Sequence, residues 1–212
     1  MPQLIHHRIN TLAQLGALPA GRGAEIDLRS DARAPGELHL SHDPFVVGEP
    51  LSAWLDAWAE RPRGTLILNT KEDGLEPYAL AACRARGIDD LIFLDTQLPS
   101  VVRLSREGWG RRLSLRLSAY EPAAGLSAWR RRPPAERPRM VWVDCFSGRP
   151  LAPEALAELA DAFDACLVSP ELQGVAEADL APFVPLAKRC RWICSKRADD
   201  WLALMGEADS KR

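Results

Sequence analysis

Two carboxylates and two histidines in the first fifth of the chain have the types and spacing that acid–base chemistry needs. Glu25 and Asp27 are two residues apart; His7 precedes them and His42 follows them. If residues 24–29 form a strand, both carboxylates project from the same face, which suits a hard divalent cation. Histidine gains and loses a proton near neutral pH. The set predicts metal-assisted acid–base chemistry on an oxygen ester.

The composition limits the function classes. The chain has 212 residues, 47% of them hydrophobic, which is enough for one substantial core and predicts one domain. The formal net charge of −2 gives no general basic surface, so we expect no nucleic-acid partner. The chain contains neither the G-x-S-x-G motif of serine hydrolases nor a nucleotide-binding P-loop. The oligomeric state stays open.

The cysteines and the apolar pattern bear on the compartment. The five cysteines form no C-x-x-C pair and are expected to be small buried side chains in a reducing environment. The N-terminus lacks the pattern of a signal peptide, and nowhere do 18 apolar residues run together. We therefore expect a cytoplasmic protein without a membrane span.

The elements that must position these side chains are short strands alternating with helices. Alternation of this kind predicts a parallel sheet covered by helices. Eight such units, with one extra strand after the second, predict the α/β class and a compact (β/α)8 TIM barrel forming a single domain over residues 1–212. The predicted strands are 4–7, 24–29, 37–42, 65–71, 91–95, 112–118, 140–146, 166–169 and 192–196.

Polar side chains stand at or just after the ends of these strands. Barrel enzymes place their catalytic groups at the C-terminal ends of the strands, so one barrel mouth would collect them. Charged residues also flank any buried strand where it emerges into water, and for a single residue such as Asp95 or Asp144 that explanation is equally good. The residues at strand ends are His7, Glu25, Asp27, His42, Asn69, Lys71, Asp95, Arg116, Asp144, Glu171 and Lys196.

Four short motifs in the first third of the chain resemble a known family. His7-Arg8, Asn10-Thr11, Glu25-Ile26-Asp27 and His42-Asp43 occur in this order. The sequence thereby resembles the glycerophosphodiester phosphodiesterases, within the wider class of phospholipase-C-like phosphodiesterases built on a TIM barrel. The rest of the chain agrees with that family in the alternation of strands and helices.

The resemblance implies a divalent metal, Mg²⁺ or Ca²⁺. Glu25 and Asp27 would be ligands, and Asn69 stands where the family usually has a third carboxylate. An amide oxygen can bind either ion but brings no charge. The interpretation of the metal site therefore depends on Asn69.

The resemblance also implies the catalytic and phosphate-binding roles. His7 and His42 would be the general acid and base: one takes a proton from the attacking hydroxyl or water, and the other protonates the leaving alkoxide. Arg8 and Lys71 would hold the non-bridging phosphate oxygens. These roles also make physical sense, since cations offset the charge that grows on the phosphoryl oxygens.

The later strand ends are the expected source of substrate specificity. Arg116, Asp144, Glu171 and Lys196 carry hydrogen-bonding groups suited to a polyol or sugar, or they are ion-paired packing at the barrel mouth. The function expected is metal-assisted hydrolysis of a small glycerol- or polyol-phosphodiester. Two alternatives stay open: a lyase of the same fold that forms a cyclic phosphate, and a barrel without turnover that binds a phosphorylated polyol or sugar, which the replacement by Asn69 would explain.

Overall fold

The computed structural model describes residues 1–31, 34–61, 63–175 and 179–210. The helices are Leu12–Ala17 (α1), Leu51–Ala59 (α2), Glu76–Arg84 (α3), Leu98–Leu104 (α4), Ala123–Arg130 (α5), Pro153–Ala157 (α6), Val184–Ala187 (α7) and Ala198–Ser210 (α8). The strands are Gln3–His6 (β1), Gly23–Asp31 (β2), Ala34–Leu40 (β3), Glu49–Pro50 (β4), Leu66–Thr70 (β5), Leu91–Leu94 (β6), Ser114–Leu117 (β7), Met140–Val143 (β8), Asp164–Val168 (β9) and Trp192–Ser195 (β10).

Each of the predicted strands is present, and the structure adds the two-residue β4. Strands β1, β2, β5 and β6 pair in parallel, as do β7, β8, β9 and β10. Pairing of β1 with β10 joins the two halves and brings the two ends of the chain together. The result is a mixed α/β fold with a curled sheet, which confirms the class expected from the alternation.

The sheet is weakest between β6 and β7. There an isolated parallel bridge links Phe93 to Leu113, and the Ser114 hydroxyl donates to the Phe93 carbonyl at 2.8 Å. The β6–β7 seam therefore has fewer paired residues than a regular strand pair such as β7 and β8. Complete closure into a (β/α)8 barrel therefore stays a prediction, as does a single domain over residues 1–212.

An apolar layer fills the inside of the curled sheet and supports a polar layer above it. Successive side chains on a strand alternate between the two faces. His7 follows Ile5 by two residues, and Asn69 and Asp144 follow Ile67 and Trp142 in the same way. The predicted site residues therefore continue the inner face toward the C-terminal ends of the strands. The apolar layer consists of Ile5, Ile67, Ile92, Leu94, Met140, Trp142, Cys166, Val168, Trp192 and Cys194.

The extra strand returns the chain to the mouth of the sheet. Strand β2 continues beyond its pairing with β5 and forms an antiparallel pair with β3, with Leu28 opposite Leu40. The amide of Ser41 then donates to the Asp27 carbonyl at 3.1 Å. The loop that follows packs closely on β3 and needs glycine at position 48, because a Cβ there would lie 1.8 Å from the Leu40 carbonyl oxygen. This path brings the backbone of Ser41, the residue before His42, to Asp27 on β2.

The expectation for the cysteines holds. All five cysteines are free and buried, as expected for small apolar side chains. Within the residues that the structure describes, no helix has the length and apolar character needed to cross a membrane.

Candidate active site

Glu25 is a fully buried carboxylate on the inner face of β2. Its Oε1 accepts a hydrogen bond from the Asn69 amide nitrogen at 2.9 Å, and its Oε2 accepts one from the backbone N–H of Arg8 at 2.9 Å. Burial and the negative charge of neighbouring Asp27 raise the pKa of Glu25, although both hydrogen bonds oppose the rise. A buried acid of this kind favours a nearby positive charge.

Asp27 is also fully buried and has the denser set of partners. The Lys71 ammonium lies 2.9 Å from Oδ1, and Arg8 Nε lies 3.8 Å from Oδ2. Asn10 makes two bonds: its amide nitrogen donates to Oδ2 at 2.7 Å, and its Oδ1 accepts from the Asp27 N–H at 2.9 Å. Asp27 therefore joins the ends of β1 and β5 across β2.

Asn10 is a member of the site that the motifs do not predict, although the Asn10-Thr11 pair is one of them. Thr11 caps helix α1 and forms a reciprocal capping box with Gln14. Because the cap fixes the start of the helix, Asn10 is held one residue before it and reaches Asp27. An asparagine immediately before a helix-capping threonine is the sequence feature that could have indicated this role for Asn10.

His7 lies beside this pair. Its Nε2 is 3.7 Å from Glu25 Oε2, and its backbone N–H donates to the Ser195 carbonyl at 3.2 Å. Burial, with a contribution from Arg8, lowers the pKa of His7 to about 3. The imidazole is therefore neutral at pH 7, which is the form that a general base requires.

His42 stands at the rim, with 41% of its side chain exposed. Its Nδ1 is 2.8 Å from Asp43 Oδ1, which orients the ring and lowers the pKa of Asp43. The Arg29 guanidinium donates to the His42 carbonyl at 2.9 Å and pairs with Glu72 at 3.4 Å. Arg29 and Glu72 thus hold the segment that carries His42, a role that the motifs did not predict.

The predicted metal ligands partly fit a hard cation. In the part of the chain that the structure describes, no three His, Cys, Asp or Glu side chains form a metal-binding group. Glu25, Asp27 and Asn69 nevertheless offer oxygen ligands of the type that Mg²⁺ and Ca²⁺ prefer. Asn69 Oδ1 is buried and has no hydrogen-bond partner among the described residues. That oxygen is therefore free to bind a cation, whereas Asp27 Oδ1 is paired with Lys71.

A second polar cluster, centred on Arg116, lies across the sheet. Arg116 Nε donates to Asp95 at 2.9 Å, and Nη1 donates to Asp144. Gln173 donates to Asp144 Oδ1 at 2.6 Å and accepts from the Cys145 N–H at 2.8 Å. Burial raises the pKa of Asp144 to about 6, although the Arg116 guanidinium opposes the rise. Asp95 attracts the same guanidinium. Arg116 and Asp144 are therefore brought together as a pair, with Gln173 as an additional member.

Glu171 and Lys196 form a third group. Glu171 Oε1 accepts from the Ser195 hydroxyl at 2.6 Å and from the Lys196 N–H at 3.1 Å, and Oε2 accepts from the Ser169 hydroxyl. Glu171 therefore fixes the segment after β10. The exposed Lys196 lines a cleft of about 500 Å³ together with His7, Arg8 and Asn10.

Comparison with known proteins supports the fold. No family model matches the sequence, and no curated protein matches it either. Two crystal structures resemble the whole chain. One, from Agrobacterium tumefaciens strain C58, carries the provisional name glycerophosphoryl diester phosphodiesterase; it has a TM-score of 0.70 and 13% identity, with 99% of each chain covered.

The second structure is a glycerophosphodiester phosphodiesterase from Parabacteroides distasonis. Its TM-score is 0.64 at 9% identity, and 98% of each chain is covered. The chain shares the fold of these two structures. Both names match the family that the four motifs resemble, so the resemblance is supported by the fold over nearly the whole chain.

Proposed function

We propose that the protein is a metal-assisted phosphodiester hydrolase that acts on a small glycerol- or polyol-phosphodiester. One observation carries the proposal: His7 lies 3.7 Å from the buried Glu25, next to Asp27 with its cations Lys71 and Arg8. Acid–base, anionic and cationic groups thus meet at one mouth. The fold shared with two structures named as phosphodiesterases agrees with this function.

Arg8 and Lys71 bind the phosphate in this proposal. A phosphodiester carries one negative charge, which repels an attacking nucleophile, and further charge grows on the phosphoryl oxygens during the reaction. The Lys71 ammonium is 2.9 Å and the Arg8 Nε 3.8 Å from Asp27. Both cations are therefore held in place before the substrate arrives.

A divalent ion would be held by Glu25, Asp27 and the unpartnered Oδ1 of Asn69. When bound, Mg²⁺ or Ca²⁺ supplies Lewis-acid stabilisation of the phosphoryl oxygens. With two carboxylates and one amide, the ligand set has less negative charge than three carboxylates would have. Lys71 shares Asp27 with the ion, so the ion is expected to bind weakly.

The two histidines move the protons. The neutral imidazole of His7 accepts the proton of the attacking water or hydroxyl at Nε2. Asp43 holds Nδ1 of His42, which leaves Nε2 of that ring to protonate the leaving alkoxide. The oxygen–phosphorus bond to the leaving group breaks as the new one forms, and the alkoxide departs as an alcohol.

The rest of the mouth selects the substrate. Arg116, Asp144, Glu171 and Lys196 are proposed to contact the hydroxyls of the polyol. We also propose that the sheet closes as a (β/α)8 barrel at the β6–β7 seam, so that these groups face His7 across the mouth. The expected compartment is the cytoplasm.

The proposal is tested with a soluble glycerophosphodiester and purified protein. Hydrolysis is measured with Mg²⁺, with Ca²⁺ and with EDTA, for the wild type, Glu25→Ala and His42→Ala. Glu60→Ala, at an exposed position after α2, is the matched control. We expect metal-dependent turnover that both site variants abolish and the control retains. Turnover that survives both site substitutions would show that the site is assigned wrongly.

Product analysis separates hydrolase from lyase. Both use the same two histidines, but a lyase lets an internal hydroxyl attack phosphorus and releases a cyclic phosphate. A cyclic product that precedes any linear monoester would favour the lyase.

The Lys71–Asp27 ion pair favours a second candidate, a barrel that binds a phosphorylated polyol without turnover. In that case Lys71 takes the place of the metal charge, and Asn69 supplies no third carboxylate. Binding of a polyol phosphate, together with no turnover of any phosphodiester in Mg²⁺ or Ca²⁺, would support it.

A further inference from the structure

Exposed apolar side chains are concentrated at the mouth of the curled sheet. In the part of the chain that the structure describes, every large hydrophobic residue that is exposed, except Met1, lies in a segment that follows one of the strands β1, β3, β5, β6, β7, β8 and β9. Single exposed apolar residues normally scatter over a protein surface, so their concentration at one end of the sheet needs an explanation. We call this set the apolar rim: Leu12, Phe45, Val46, Val47, Tyr78, Leu98, Tyr120, Phe146 and Val175.

The most apolar part of the rim follows His42 directly. Phe45 is completely exposed, and Val46 and Val47 are more than half exposed. Because the Ser41 N–H donates to the Asp27 carbonyl, this segment starts at the level of the buried carboxylates. Phe45 has φ +64°, a region that bulky residues rarely adopt. The loop thus presents three consecutive apolar side chains to water within five residues of a proposed catalytic histidine.

A second part of the rim comes from two other loops. Tyr120 follows β7 and Phe146 follows β8, and their ring centroids are 6.1 Å apart. Tyr120 is 82% exposed and Phe146 48% exposed, so the pair packs on itself and still faces water. Aromatic side chains of this kind are common where a protein meets the polar–apolar boundary of a lipid layer.

Positively charged side chains lie at the mouth that the apolar rim surrounds. Arg8, Lys71 and Lys196 are cations at the mouth, and Arg8 and Lys196 line its cleft. A phospholipid layer presents anionic phosphodiesters immediately above its apolar region, so cations surrounded by apolar side chains match that order. The rim also comes from separate loops, which suits a broad surface better than one extended peptide.

We propose that the apolar rim docks on a phospholipid surface and brings a lipid headgroup phosphodiester to the mouth. Docking is inferred from the apolar rim alone, whereas cleavage of the headgroup also rests on the proposed function. Apolar insertion is the attraction expected, since the net charge of −2 does not favour an anionic surface.

The test is flotation with vesicles of phosphatidylcholine, a zwitterionic lipid whose net charge is zero. The first variant is Phe45→Ser/Val46→Ser/Val47→Ser, and the second, Tyr120→Ser/Phe146→Ser, keeps the test valid if the first does not fold. Val102→Ser, a half-buried position on α4, is the control. Circular dichroism checks folding. We expect the wild type and control to float with the vesicles, and the partition of each rim variant to fall at least about tenfold, since each lost apolar contact weakens insertion.

The outcomes separate the two proposals. A wild type that stays with the soluble fraction, or folded rim variants that float as well as the wild type, would overturn docking. Rim-dependent dimers in sedimentation velocity without vesicle binding would assign the rim to a second copy and also overturn it. Rim-dependent flotation without hydrolysis of any phosphodiester would support docking while the proposed function fails.

Discussion

Replacing Lys71 by methionine is expected to destabilise the protein by leaving Asp27 buried without its closest cation. The Lys71 ammonium lies 2.9 Å from Asp27 Oδ1, and the Asp27 side chain is fully buried. Methionine keeps most of the aliphatic stem, so the change removes charge more than packing. Arg8 Nε, 3.8 Å away at the other oxygen, compensates in part.

The magnitude follows from this geometry. At an effective dielectric constant of about 20, two unit charges 2.9 Å apart attract by about 6 kcal/mol. Removal of one partner of a buried ion pair typically costs about 3–5 kcal/mol. Because 17% of the Lys71 side chain is exposed and Asn10 still binds Asp27, we expect the lower end, about 3 kcal/mol.

Urea unfolding at pH 7 in EDTA measures the loss. In Lys71→Met/Asp27→Asn both charges are absent, so part of the stability should return in a double-mutant cycle. Arg103→Met is the surface control, since Arg103 pairs with Glu107 on the same helical segment at 3.3 Å and should lose only about 0.5 kcal/mol. A loss below about 1 kcal/mol for Lys71→Met, the range of exposed pairs, would refute the reasoning.

Three other predictions test separate parts of the structure. Asn10→Ala removes two bonds to Asp27, at 2.7 and 2.9 Å, and should lower the free energy of unfolding by about 2 kcal/mol; an unchanged urea midpoint would contradict this. Gly48→Ala forces a Cβ to within 1.8 Å of a carbonyl oxygen and should lower the melting temperature, whereas Gly16→Ala, in open space on α1, should raise it slightly; equal effects would count against the loop geometry. Burial raises the pKa of Asp144 from 3.8 to about 6, so its ionisation costs stability progressively as pH rises from 4 to 6. Asp144→Asn should therefore be more stabilising, relative to the wild type, at pH 7 than at pH 4 in thermal unfolding, and a pH-independent difference would contradict the shift.

The inner face of the sheet could be predicted from sequence because it depends on local alternation. Glu25 and Asp27 are two apart in an apolar run, and the structure places both on the inner face of β2, where Glu25 lies opposite Ile67. The predicted C-terminal ends of the strands likewise indicated where the mouth of the sheet lies. The apolar pattern of residues 153–163 predicts one helix, whereas the observed helix is shorter, Pro153–Ala157, because terminal turns depend on tertiary contacts more than on propensity.

The pairing of charges across the mouth could not be predicted. Lys71 meets Asp27 because β2 and β5 pair in a register that puts Asp27 opposite Asn69. Arg116 similarly reaches Asp95 and Asp144 from neighbouring strands. Such contacts join residues far apart in sequence, and their register is set by packing of the whole sheet. The sequence pattern therefore places residues at the mouth without saying which are paired there.

Phosphorus NMR of a glycerophosphodiester incubated with the protein and Mg²⁺ tests the central claim most directly. The wild type should convert the diester signal into a monoester signal. His7→Ala should do so at least about 100-fold more slowly, since a general acid or base contributes that much. Equal rates for the wild type and His7→Ala, or an unchanged diester with both Mg²⁺ and Ca²⁺, would contradict a phosphodiesterase site at His7, Glu25 and Asp27.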